Sequence, residues 1–329
     1  MRSLLQNLAR RGASAIARQM VKQESWSELL VLQGTQAAMQ VRQMDRLAAL
    51  GDAEFKVFSQ WGEDGIIEWL VSRLAGIPES FVEFGVEDYS EANTRFLLCH
   101  RNWRGLVIDG APENIACLQQ RQNYWRHNLS AVASFITRDN IDSLIAGAGF
   151  AGDIGLLSID IDGNDYWVWE AVTAVKPWIV IVEYNAVLGD IRPLSIPYQA
   201  DFRRMGAHHS ALYYGASVPA FEHLAARLGY TLAGSNRAGN NLFYVRNDVG
   251  TGLIASITDR RPRPSLYAEA RDRAGDLALT YGIARRALID ALPVTDIISG
   301  QTAALSQMGD LYSPHWTAIQ QGMTPSETR

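Results

Sequence analysis

Residues 154–167 read IGLLSIDIDGNDYW. The opening run, IGLLSI, is apolar on both alternating faces, the texture of a strand covered by helices on both sides of a parallel sheet. Polarity then arrives at once: Asp160, Asp162 and Asp165 fall within six residues around Gly163, and YWVWE follows as a helix-compatible run. A strand that ends in acids and a glycine turn and passes into a helix is one βα unit. A chain of such units is an α/β fold with a mainly parallel sheet.

The same texture recurs on either side. Strands are expected at Phe81–Phe84, Leu106–Ile108, Ala131–Ile136, Ile154–Asp160 and Trp178–Tyr184, with IGLLSI and WIVIVEY near the centre of the sheet. Between them, helices are expected near Glu63–Leu74, Ala92–His100, Pro112–Tyr124, Ile141–Ala146 and Tyr166–Val175. A polar and aromatic connection follows, with Pro193, Pro197, His208 and His209, and then a helix near Val218–Leu228. Two β-like runs, Tyr230–Ala233 and Leu242–Val245, flank the turn-rich SNRAGNN and read as an antiparallel hairpin at the sheet edge. Helical character is expected through Trp26–Leu50, where Gly34 is the only breaker, and Leu266–Leu292 reads as one or two helices. The organisation is thus a helical extension over 1–50, a core domain over 51–248 and a second helical extension over 249–329.

A chain of 329 residues, 47% apolar and 20% charged, has an ordinary globular composition and enough length for a large core without covalent staples. Cys99 and Cys117 are too few for a secreted disulfide framework or a structural zinc site, which places the protein in a reducing, cytoplasmic compartment. A formal charge of −5 and no long basic run argue against general nucleic-acid binding. No apolar stretch approaches the ~20 residues of a membrane span. Residues 1–23 carry Arg2, Arg10, Arg11, Arg18 and Lys22 without an acid, with Leu5, Leu8, Ala15, Ile16 and Met20 near helical spacing. Such a segment docks on its own domain or a protein partner, lies peripherally on an anionic membrane, or acts as an organellar presequence. A second copy of the chain is a further candidate partner.

In an open parallel sheet the ligand sits outside the carboxyl ends of the strands. Those ends are acidic here. FVEFGVEDY puts Glu83 at a strand end, Gly85 in the turn, and Glu87 and Asp88 beyond; a glycine there lets backbone approach a ligand closely. Asp109 ends the next strand, 24 residues after Gly85, a spacing suited to an acid that holds ribose hydroxyls. Glu87 stands where a second glycine would complete a phosphate-binding turn, and its charge disfavours a pyrophosphate. A cationic nucleoside is favoured instead, and S-adenosylmethionine meets that demand with a ribose, a sulfonium and an ammonium but no phosphate. In FSQWGEDGI, Gln60 and Glu63 precede the first core helix and are candidates to reach over the cofactor, against a plain capping role.

Asp160, Asp162, Glu183 and Asn185 are placed to face the ligand, whereas Asp165 suits a helix cap. Grouped acids raise one another's pKa unless a cation neutralises them. Asp160, Glu183 and Asn185 form a candidate oxygen-donor set for Mg²⁺, which would orient a substrate hydroxyl. The metal-free alternative makes Asp160, Asp162 or His208 the base. Sequence does not choose between His208 and its neighbour His209.

FSQWGEDGI, FVEFGVEDYSEANTRFLL, NWRGLVIDG and LLSIDIDGNDYWVWE, in this order, resemble the FkbM-type methyltransferases, a branch of the class I S-adenosylmethionine-dependent enzymes. The resemblance covers residues 55–247. It implies a Rossmann-like sheet of seven strands and methyl transfer to oxygen on a saccharide, glycan component or related metabolite. It also implies that Glu83 and Gly85 flank the methionine part of the cofactor, that Asp109 binds its ribose, and that Asp160 stands beside the methyl. The segment IPYQADFRRMGAHHSALYYGAS lies outside the family pattern, and its Arg203, Arg204, Tyr213 and Tyr214 suit a sugar ring or an anion. The competing expectation is a non-catalytic nucleotide- or glycan-binding protein on the same sheet, with Glu87 as its support.

Overall fold

The computed structural model describes residues 24–121 and 123–321. Their strands, in chain order, are β1 (Leu47–Ala49), β2 (Ser80–Phe84), β3 (Arg104–Asp109), β4 (Leu129–Ala133), β5 (Gly152–Ile159), β6 (Val175–Glu183), β7 (Leu194–Ser195), β8 (Tyr230–Ser235), β9 (Asn241–Arg246), β10 (Ile257–Asp259), β11 (Pro293–Asp296) and β12 (Thr302–Ala304). Seven of them make one sheet in the order β4-β3-β2-β5-β6-β9-β8. Pairing is parallel from β4 to β6 and antiparallel where β9 meets β6 and β8. This is the expected Rossmann-like sheet of seven strands, with β5 at its centre and the β8–β9 hairpin at one edge.

The alternation along each central strand explains why helices cover both faces. In β5, Leu157 enters one core cluster and Leu156 the other; in β6, Val180 and Val182 face one way while Ile179 and Ile181 face the opposite way. The first face receives the helices Ile141–Gly147, Asp165–Ala171 and Val218–Leu228, and the second receives Glu63–Arg73 and Arg95–Arg101. Helix Val218–Leu228 has the limits its sequence expects, because Ser217 caps its first turn by accepting from Ala220 N, and Gly229 closes it in a left-handed conformation.

Two helical expectations are corrected. The run Trp26–Leu50 does not stay helical: the helix is Glu24–Val41, and β1 follows. The carbonyls of Arg42 and Met44 are claimed from the side, by the Arg73 guanidinium at 3.1 Å and the Trp69 indole at 2.8 Å, so the chain gains more by extending than by continuing the helix. β1 then pairs in parallel with β10. The segment Leu266–Leu292 is not one or two helices either; it is irregular until a short 3₁₀ turn, Gly282–Leu288. Arg285, only 1% exposed, directs its guanidinium to Ser265, Glu269 and Gly282, and these bonds hold the segment in loops that Ala and Arg propensity cannot overturn. Beyond it, β11 joins β12 and β7 in a small antiparallel sheet, and a third apolar cluster forms between residues 187–214 and 270–311.

Helix Glu24–Val41 leaves Trp26, Leu29, Leu32 and Met39 exposed. The basic segment of residues 1–23 lies outside the described residues. Among the described residues no helix is long and apolar enough to cross a membrane.

Candidate functional site

Strand order reverses between β2 and β5, and the two turns that leave this switch point touch each other. Gly85 has φ +70°, and a Cβ built on it would stand 1.6 Å from the Asp160 carbonyl oxygen. No side chain fits there. Gly85 N–H donates to Ile108 O at 3.0 Å, so one residue locks the ends of β2, β3 and β5 together.

Above this lock opens a cavity of about 430 Å³, lined by Gly85, Glu87, Asp109, Asp160, Asp162 and Glu183 among others. Asp109 is held in place by three donors, Glu87 N at 2.7 Å, Ala111 N at 2.8 Å and Asn114 Nδ2 at 3.0 Å. The Glu87 contact resolves the missing glycine: Glu87 itself takes a left-handed φ of +47°, and its amide is tied to Asp109. Its own carboxyl is pushed above the usual carboxylate range by burial, and then by the charges of Asp109, Asp88, Asp162 and Glu91. Glu83 is buried and accepts from Asn93 N at 2.8 Å and from the Thr94 amide and hydroxyl, so it fixes the loop before helix Arg95–Arg101. Burial still raises its pKa to about 7.

Asp160 and Glu183 meet at the cavity floor. Desolvation pushes both well above the carboxylate range, helped by the charge of Asp162 on Asp160 and of Asp160 on Glu183. Two carboxyls this close resist ionising together, because the second charge must form beside the first. Glu183 Oε2 is buried without a hydrogen-bond partner. Arg204 supplies the nearby positive charge, with its guanidinium 2.6 Å from Asp162 Oδ1. Among the described residues lining the cavity it is the single base against seven acids.

The structure brings together Gln60, Glu83, Gly85, Asp109, Asp160, Asp162 and Glu183. It places three other candidates elsewhere. Glu63 is fully buried beneath its own loop, accepting from Trp61 N, Gly62 N, Asn236 Nδ2 and Asn241 Nδ2, and so pins that loop to the β8–β9 turn instead of meeting a cofactor. Asn185 is 1% exposed, spends both amide hydrogens on the Leu212 and Tyr214 carbonyls while accepting from Val187 N, and does not line the cavity. His208 pairs with Ser210 Oγ at 2.8 Å and packs on His209, outside the lining. Asp165 does not cap its helix as expected: it is the first helical residue, Asn164 stands at the cap, and the Asp165 carboxylate accepts from Ile161 N and Gly163 N at 2.9 Å, which holds the preceding turn. Of the aromatic and basic residues between Glu183 and Ser217, Phe202 and Arg204 line the cavity, whereas Arg203 lies over Phe135 and Tyr213 bonds the Pro293 carbonyl. Phe135 and Asn93 also line it; Asn93 falls within FVEFGVEDYSEANTRFLL without a signal of its own, and Phe135 falls in no motif.

The expected Mg²⁺ set therefore loses Asn185. Asp160, Asp162 and Glu183 do offer carboxylate oxygens within 4.8 Å of one another. Arg204, however, already binds Asp162 at 2.6 Å, so a divalent ion would sit against a guanidinium. These residues as arranged do not fit a dedicated metal site.

No family model matches the chain, and no curated protein matches its sequence. Among solved structures, an S-adenosylmethionine-dependent methyltransferase from Clostridium acetobutylicum is 12% identical, covers 56% of this chain and 90% of its own, and gives a TM-score of 0.35. An O-methyltransferase from Bacillus cereus in complex with SAH is 12% identical, with 69% and 96% covered and a TM-score of 0.37. A methyltransferase from Geobacter sulfurreducens is 15% identical, with 52% and 71% covered and a TM-score of 0.33. These likenesses are of fold; the ligand has to be read from this chain's own residues.

Proposed function

We propose that this protein is an S-adenosylmethionine-dependent O-methyltransferase that acts on a hydroxyl of a saccharide, glycan component or related metabolite. The observation that carries the reading is the carboxylate-lined cavity at the switch point, open above Gly85. Its charge favours a cationic nucleoside and disfavours a pyrophosphate, since seven acids face a single base that is itself paired. Gly85 gives backbone access at the β2 turn, Asp109 and Glu87 stand where ribose hydroxyls would be held, and Asp160 lies at the floor. When bound, S-adenosylmethionine supplies a methyl on a sulfonium, which passes to the acceptor oxygen while the sulfur keeps the bonding electron pair. The chain's part is to orient the acceptor and take its proton. The Asp160–Glu183 pair, once it has released its own proton, is the base placed for this, and Glu183 Oε2 is the atom free to accept. His208 is too committed to Ser210 to be preferred.

Titration calorimetry with S-adenosylmethionine tests the reading. Wild type is expected to bind, and Asp109→Ala to weaken binding at least tenfold, because the loop at Glu87 loses its anchor along with the ribose acid. No heat from wild type, equal affinity in the variant, or preferential binding of a dinucleotide would count against it. Binding without release of S-adenosylhomocysteine across a panel of glycan acceptors would favour a non-catalytic binding protein.

A further inference from the structure

A second cavity, about 410 Å³, adjoins the first and shares Gln60, Glu183 and Arg204 with it. One wall comes from the carboxyl-terminal segment, through Tyr267, Ala268, Glu269 and Leu277; Trp61 and Asn240 stand in another. The Trp61 and Tyr267 rings stack with centroids 4.7 Å apart and planes 3° from parallel, which ties the loop before the first core helix to a segment 206 residues further on. Two polar atoms of the lining, Tyr267 Oη and Glu183 Oε2, are buried without a partner. Such atoms are costly to leave unmet, so each marks a place where a ligand gains a hydrogen bond.

The charges are in the opposite condition. Arg204 donates to Asp162 at 2.6 Å and to Glu269 at 3.1 Å, and lies 3.8 Å over the Tyr214 ring. Glu269 also accepts from the buried Arg285 at 3.2 Å. An ionic ligand would have to break one of these pairs, and a neutral one leaves them whole.

We propose that the second cavity is the acceptor subsite and takes an uncharged molecule bearing hydroxyls on a ring with an apolar face, the reacting hydroxyl donating to Glu183 Oε2 at the seam between the cavities. The subsite rests on the methyl-transfer reading of the first cavity. A saccharide and a phenolic ring share this chemistry. Leu277, Ala268 and the aromatic flank cover the ring, and Asn240 and Tyr267 Oη meet its remaining hydroxyls.

Saturation-transfer NMR on the full chain reads occupancy directly, with methyl β-glucopyranoside and catechol as neutral probes and glucuronate and 4-hydroxybenzoate as their anionic counterparts. At least one neutral probe is expected to give saturable transfer, and the arm that saturates at lower concentration identifies the ring class. Ala268→Trp, which fills the cavity, is expected to abolish transfer. Tyr267→Phe keeps the ring stack, removes one hydroxyl, and is expected to weaken binding about fivefold. S-adenosylmethionine affinity by calorimetry should stay within twofold in both variants. Transfer from neither neutral probe, tighter binding of the anionic counterparts, or binding untouched by both substitutions overturns the subsite. A tenfold loss of S-adenosylmethionine affinity in Tyr267→Phe also overturns it, since the two cavities would then be one site. Failure of wild type to bind S-adenosylmethionine while a neutral probe still binds overturns the methyl-transfer reading instead and leaves the subsite standing.

Discussion

Glu83 shows how a side chain can be visible in the sequence and still have its work hidden. Its place at the end of β2 marks it as a ligand residue, yet its oxygens are taken by Asn93 and Thr94, ten and eleven residues downstream. Burial raises its pKa from 4.5 to about 7. Between those values the folded protein holds a proton that the unfolded chain has released, so this group favours folding most below pH 4.5, and the benefit falls as pH rises to about 7. The loss amounts to about 3 kcal/mol. Glu83→Gln cannot titrate, so the stability difference between wild type and variant is expected to shrink in favour of the variant from pH 5 to 7.5, as read by thermal melts. A difference that stays constant over that range would refute the assignment. Gly85 is the opposite case: the sequence marks it as the turn glycine, and the Asp160 carbonyl beside it supplies the reason.

At the scale of elements, three helical segments are clamped by one buried acid. Glu68, on helix Glu63–Arg73, is fully buried and accepts from Arg42 at 2.5 Å, just past helix Glu24–Val41, and from Arg101 at 2.6 and 2.9 Å, at the end of helix Arg95–Arg101. Glu68→Ala is expected to cost about 2–3 kcal/mol in urea unfolding at pH 7, below the usual figure for a broken buried pair because both arginines can turn to solvent. A cost under 0.5 kcal/mol would show the clamp to be ornamental. The elements that the sequence declares are those whose signal is local: the two-sided strands β5 and β6, the capped helix Val218–Leu228, the hairpin around SNRAGNN. The two that it misdeclares are overridden from a distance. Trp69 and Arg73 pull the carbonyls after Val41 out of helical pairing, and Arg285 draws Ser265 and Glu269 into loops. No periodicity within either segment records those partners. The candidate site divides the same way. Strand-end acids are legible because a parallel sheet puts them on one rim, but Asn185 and Glu63 look identical to ligand residues until their neighbours are known.

For the whole molecule, the carboxyl-terminal segment behaves as part of the core. Trp316, 2% exposed, sits in the same apolar cluster as β5 and β6, and its indole donates to Pro262 O at 3.0 Å. Trp316→Ala is expected to cost about 3–5 kcal/mol while unfolding remains a single transition. A separate early transition in circular dichroism, with the sheet intact, would mean that the segment is an independent appendage. The segment also walls the second cavity, so the same variant should disturb binding of the proposed neutral acceptor before that of the proposed cofactor.

The pairing of β1 with β10 sets a timetable for biogenesis. Leu47 has no strand partner until Ile257 has been made, 210 residues later. At about 5–20 residues per second, a translating ribosome leaves that short strand single for roughly 10–40 s, while the central units can already assemble in order of emergence. This seam closes only after all seven strands of the central sheet have emerged, and a nascent chain stalled before it would display an open flank to chaperones.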